Sequence, residues 1–171
     1  MKKIAIIGPE STGKSTITAQ LARYYNEPFV EEFGRKYLEK TNGTYNREDL
    51  LAITKGMIES EKSLEKKATN FLFCDTDLIM MKVWYEVKYG ECHPLVLDRL
   101  DSKPYDHYLL CYPDLPWEDD PLRENPNMRE ELFERYLKEL NLYNFPFSIV
   151  KGKINRFMIA ANEIERLKND N

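Results

Sequence analysis

Cysteine is scarce in this chain. Three residues in 171, Cys74, Cys92 and Cys111, stand far apart and form no Cys-x-x-Cys. An odd, dispersed set excludes a disulfide framework and a thiolate zinc cluster, and it fits reduced thiols in a cytoplasmic protein. Histidine is scarcer still. His93 and His107 alone are too few for a histidine-rich zinc site, and no Gly-x-Ser-x-Gly elbow exists to pair either with a serine nucleophile. No apolar run approaches the roughly 20 residues of a membrane span. The apolar stretch near the start, Ile4 to Ile7, is too short for a secretion signal and runs straight into a glycine loop. Charge of one sign is not concentrated either. Lys and Arg number 25 against 29 Asp and Glu, for a net charge of −4. The dispersed basic residues leave no footprint for duplex nucleic acid.

The remaining composition, 42% apolar and 32% charged, is that of a globular protein with one real core. Strands and helices alternate along it. Residues 2–8 read as a strand buried on both faces, because Ile4, Ala5, Ile6 and Ile7 do not alternate with polar residues. Further strands are expected at 28–32, 71–75, 105–112 and in "FPFSIVKG". Helices are expected at 14–25, around 34–40, from the Asn46 cap to about 68, at 77–89 before Gly90, from Asn127 to 142, and at 154–167. Residues 113–127 contain four prolines and read as an exposed flap. This order predicts an α/β P-loop NTPase fold in one domain: a five-stranded parallel sheet, helices on both faces, and a lid near 113–127. Ligands on such sheets sit at the carboxyl ends of the strands.

The stretch "GPESTGKST", residues 8–16, lies at one of those ends. Gly8, four residues, then Gly13, Lys14 and Ser15 is the spacing of a phosphate-binding loop. The glycines let phosphate approach closely. Successive N–H groups form an anion nest, and the following helix adds its positive end. Gly8, Glu10, Ser11, Thr12, Gly13, Lys14, Ser15 and Thr16 are therefore the expected ATP-binding residues. Lys14 would reach the β- and γ-phosphates, and the Ser15 hydroxyl would ligate Mg²⁺. Asp75, at the end of the buried "FLFCD", is the second expected metal ligand. Both Asp75 and Asp77 are also candidate helix caps, and Asp77 remains a second candidate base.

The acceptor side is sought in "EEFGRKY", residues 31–37. A carboxylate at that strand end would take the proton of an acceptor hydroxyl. Alternation along a strand turns only one of Glu31 and Glu32 inward. Glu32 is the expected base. Arg35 and Tyr37 are expected beside it, with core packing as the alternative for Tyr37. In the flap, Arg123 and Arg129 are candidates to close on the transferring phosphoryl group. Arg129, in the first turn of a helix, is alternatively solvent-facing. The expected catalytic set is Lys14, Glu32, Asp77 and Arg123.

"GPESTGKS", "EEFGRKY", "FCDTDL", "YGECHP" and "PWEDDPLR" follow one another in an order resembling the ribosylnicotinamide kinase domain of NadR-type proteins. The resemblance spans nearly the whole chain. It implies a P-loop kinase that moves the γ-phosphate of ATP to the ribose 5′-hydroxyl of nicotinamide riboside, giving nicotinamide mononucleotide. It also places Trp117 among the substrate-binding candidates. Two positions depart from the pattern: Glu31, where the family commonly has tryptophan, and Met80–Met81, where it often has threonines. Full-length relatives also carry adenylyltransferase and DNA-binding domains, for which 171 residues leave no room, so a stand-alone enzyme is expected. The alternatives are a P-loop kinase for another nucleoside or small alcohol, or a regulatory NTPase. A guanine-reading Asn-Lys-x-Asp is absent.

Overall fold

A computed structural model describes residues 1–169. Strand β1, Lys2–Ile7, occupies the middle of a five-stranded sheet. It pairs on one side with β3, Phe71–Asp75, and on the other with β4, His107–Cys111. The edges are β2, Phe29–Val30, and β5, Phe147–Val150. The order is β2-β3-β1-β4-β5, with every pairing parallel.

Residues of β1 alternate between two cores, as strand periodicity requires. Ala5 and Ile7 face the larger core with Leu72, Cys74, Tyr108 and Leu110. Ile4 and Ile6 face the other with Phe71, Phe73, Leu109 and Cys111. Helices α1, Lys14–Tyr25, and α7, Arg156–Asn169, cover the second face through Ile17, Leu21, Ala160 and Ile164. The first face is covered by α3, Arg47–Glu65, α4, Leu78–Tyr89, α5, Pro94–Asp101, and α6, Arg129–Leu142. A short helix, α2, Phe33–Lys40, leads from β2 toward α3. No helix among the described residues is long and apolar enough to cross a membrane.

The sheet and the faces agree with the sequence expectation; several boundaries do not. The fourth strand begins at His107 rather than 105, since Tyr105 packs under the sheet. Asn46 caps α3 in a reciprocal box with Asp49, at 3.1 and 2.8 Å, as expected. Helix α6 begins at Arg129 behind Met128 and has no side-chain cap, so Asn127 is not the cap. Helix α5 has no counterpart in the sequence reading. Its cap is His93, whose ring nitrogen accepts the Leu95 N–H at 3.1 Å, a residue outside the usual capping set.

Gly56 lies inside α3, where glycine is a poor helix former. The Phe33 ring accounts for it. A Cβ at Gly56 would stand 2.2 Å from Phe33 Cζ. Gly56→Ala should therefore destabilise the protein by about 1–3 kcal/mol, although alanine gains roughly 1 kcal/mol of helix propensity. The urea midpoint checks this, and a raised midpoint would contradict the close packing of α2 on α3.

Candidate active site

The loop after β1 is shaped by contact with β4. Gly8 has φ +145, and a Cβ there would stand 2.6 Å from the Cys111 carbonyl oxygen. Ser11 and Gly13 both have positive φ, 58 and 78. Gly13 precedes α1 with no side-chain cap, so the first amides of α1 stay available to an anion. Thr12 Oγ1 and Lys14 Nζ both donate to the Pro9 carbonyl, at 2.7 and 3.0 Å. Glu10, Ser11, Thr12, Gly13, Lys14, Ser15 and Thr16 line one recess. Gly8 shapes that recess from behind.

Asp75 ends β3 opposite Ile6, beside this loop. It is 4% exposed, and its Oδ1 has no hydrogen-bond partner. Burial raises its pKa, while Lys14 and the Ser15 hydroxyl draw it back down. An orphaned buried carboxylate oxygen next to an exposed serine hydroxyl suits Mg²⁺, which keeps several waters and takes few protein ligands. Among the described residues no group of three or more His, Cys, Asp and Glu could hold a metal by itself.

The flap lies on the phosphate loop. The Glu10 carboxylate accepts the backbone N–H groups of Glu124 and Asn125, at 3.1 and 2.9 Å. Ser11 Oγ accepts the Glu118 N–H at 2.8 Å and Arg123 Nη1 at 3.1 Å. Arg129 is not solvent-facing. Its Nη2 donates to the carbonyls of Ser11 and Leu115, at 3.1 and 2.8 Å. Arg35 Nη2 meets Asp120 Oδ2 at 2.6 Å from across the cleft.

A second cavity opens beneath the flap. Its walls include Phe33, Met80, Trp84, Leu132 and Tyr136. Its charged side chains are Glu10, Glu32 and Glu124, with no Lys or Arg among the lining residues. In this closed arrangement it measures about 130 Å³. That is below the roughly 300–1,000 Å³ of a small-molecule site, and Leu122, Glu124 and Asn125 of the flap form part of its wall. Glu32 lines both the recess and this cavity. It stands at the N-cap of α2, yet its side chain makes no capping bond and stays free. Burial raises its pKa, and Asp75 adds to this, while Lys14, Arg35 and Arg123 oppose it.

Four expected substrate contacts fall elsewhere. Glu31 is exposed and pairs with Lys36; β2 ends at Val30 rather than 32, so both glutamates lie in the turn into α2. Tyr37 packs against the larger core and donates to Asp49 Oδ1 at 2.6 Å. Asp77 is fully buried as the cap of α4, accepting the N–H groups of Ile79 and Met80, both at 2.9 Å. Burial raises its pKa to about 7, with those two N–H groups pulling against the rise. Trp117 lies on the flap under Arg123, 5.8 Å from guanidinium to ring centroid, and donates to Asp119 at 2.8 Å. None of the four lines the recess or the cavity.

A family profile described as an AAA domain matches residues 3–156. The chain belongs to that family. It is 29% identical over 147 residues to the trifunctional NAD biosynthesis/regulator protein NadR of Salmonella typhimurium, covering 82% of this chain and 35% of the relative. The chain thus spans about a third of the length of that curated relative. A crystal structure of NadR with NAD and AMP-PNP superimposes with a TM-score of 0.76 at 21% identity, over 96% of this chain and 49% of that one. Deoxyadenosine kinase of M. mycoides, with products bound, gives 0.68 at 16% identity over 96% and 99%. These structures establish the P-loop kinase fold.

Several residues at the site escaped the sequence reading. Trp84 and Tyr136 reach the cavity from α4 and α6, and neither stands out in the sequence. Arg156, 8% exposed, donates to the Thr12 and Tyr112 carbonyls, each at 3.0 Å, and borders the recess. A charged side chain beginning the last helix was its only signal. Glu10 is the strongest tie between loop and flap. Glu10→Ala should expose the Glu124 and Asn125 amides, raising their hydrogen-exchange rates about tenfold or more. Unchanged exchange at both amides would contradict the latch.

Proposed function

We propose that the protein is an ATP-dependent kinase that phosphorylates the ribose 5′-hydroxyl of nicotinamide riboside, giving nicotinamide mononucleotide. The reading is carried by one observation: the phosphate-loop recess and the acid-lined cavity share a wall of Glu10, Glu32, Leu38, Met80 and Leu122, in which Glu32 is a carboxylate with no side-chain capping bond. ATP phosphates lie on the loop amides and Lys14, and the acceptor hydroxyl lies against Glu32. Ser15 and Asp75 hold Mg²⁺, which when bound offsets the charge on the phosphate oxygens. Glu32 takes the hydroxyl proton as the oxygen bonds to the γ-phosphorus. The bond from that phosphorus to the β,γ-bridging oxygen breaks, and ADP leaves. Arg123 faces the charge that develops on the transferring group, with Arg129 holding the flap to the loop.

Charge selects the acceptor. A monophosphate or a carboxylate in the cavity would meet three glutamates and no cation. A pyridinium base is positive and planar, and the aromatic side chains of Trp84 and Phe33 are among the residues lining the cavity. The similarity to NadR, named for NAD biosynthesis, points the same way. One observation favours a second reading, a kinase for a neutral nucleoside. Asn125, also in the cavity, pairs as readily with a nucleobase edge as with a nicotinamide amide. Product formation from ATP with nicotinamide riboside, nicotinic acid riboside, adenosine and thymidine separates them. The charge argument expects the first to lead in kcat/KM. Leading activity on nicotinic acid riboside would overturn it.

Glu32→Gln should lower turnover by about 10²–10⁴ with ATP affinity little changed. Burial raises the pKa of Glu32, and a base works only when deprotonated. Wild-type kcat/KM should therefore fall with acidification at a pH above the ordinary carboxylate range, and the variant should lose that limb. Asp77→Asn, which keeps a capping oxygen, is the control. A large turnover loss in Asp77→Asn with none in Glu32→Gln would contradict the assignment. Lys14→Ala should abolish transfer in a folded protein, and near-normal turnover would end the kinase reading.

A further inference from the structure

Two carboxylates two residues apart, Asp75 ending β3 and Asp77 capping α4, go to different places. In extended chain, residues i and i+2 face the same side. Yet Asp75 presents an unpartnered oxygen beside Lys14 and Ser15, while Asp77 is fully buried capping α4. Thr76, between them, has φ +85. A β-branched residue at positive φ is a true outlier, in a region that glycine enters freely and asparagine tolerates.

Nothing local compensates for that conformation. The Thr76 N–H donates to the Ile6 carbonyl at 3.2 Å, a bond that any residue but proline would make. Its Oγ1 is buried and has no partner. Strain that the surrounding structure enforces and that no hydrogen bond of its own repays is characteristic of functional positions.

We propose that Thr76 is a positioning residue for the metal-binding carboxylate of Asp75. The turn it makes separates the two aspartates, and its branched side chain denies the backbone the alternatives open to glycine. The Asp75 carboxylate is thereby held toward Ser15 before any ligand arrives. This rests on the assignment of Asp75 and Ser15 to Mg²⁺, and not on the identity of the acceptor.

Two variants and two readouts test it. In EDTA, Thr76→Gly should keep or raise Tm, by up to about 2–4 °C, because strain is released. Its ATP affinity without Mg²⁺ should match wild type within about twofold. The tightening of ATP binding by Mg²⁺ should fall about tenfold or more, the usual loss when a group orienting a metal ligand is removed. Thr76→Asn, which tolerates positive φ and keeps a Cβ, should retain most of that tightening. A lower Tm for Thr76→Gly would overturn the strain, and undiminished Mg²⁺ tightening would overturn the positioning role. These measurements need no acceptor. A wild type inert toward every nucleoside, with the Thr76→Gly pattern intact, would count against the acceptor assignment alone.

Discussion

Strand β1 is hydrogen-bonded along both edges, and Ile4 to Ile7 are wholly buried between two layers of helices. Everything at the site depends on that placement. A strand enclosed on four sides can release the chain only at its carboxyl end, so the phosphate loop emerges between the ends of β3 and β4. Parallel neighbours deliver Asp75 and the start of the flap to the same edge. The Cys111 carbonyl then lies so close to Gly8 that no side chain fits. The core thus fixes the position of the loop, and the loop fixes where a phosphate can lie.

The flap adds a second constraint. Glu10 and Ser11 are loop residues, yet their side chains accept hydrogen bonds from flap amides and from Arg123. The groups nearest the phosphates therefore also hold the lid. On the proposed reading, a polyphosphate on the loop brings negative charge toward Glu10 and toward Arg123, which now bonds protein oxygens. Loop and flap are physically joined through these residues.

Parts of the site set by local chemistry were legible in the sequence. The loop spacing, the buried strand before it and the aspartate ending β3 all follow from glycine geometry and unbroken apolar runs, and each lies where expected. Glu32 lines the cavity and Glu31 does not, but strand alternation is not the reason, since β2 ends at Val30 and both lie in the turn into α2. What failed was whatever depends on distant packing. Trp84 and Tyr136 do not stand out in the sequence, because a helix face toward a cavity has the same pattern as one toward a core. Tyr37 takes the core-packing alternative, with its hydroxyl on Asp49, and Trp117, a candidate through the resemblance alone, lies against Arg123. Asp77 offered two roles, and the helix behind it took it as a cap.

The central claim is that the recess and the cavity are two halves of one reaction site joined at Glu32. A bisubstrate ligand tests it most directly: adenosine joined through a phosphate chain to the 5′-oxygen of nicotinamide riboside. Titration calorimetry and competition should show one equivalent bound, displacing both ATP and the riboside, with affinity well above either alone. A ligand that displaced ATP but left riboside binding untouched would place the acceptor elsewhere and contradict the account.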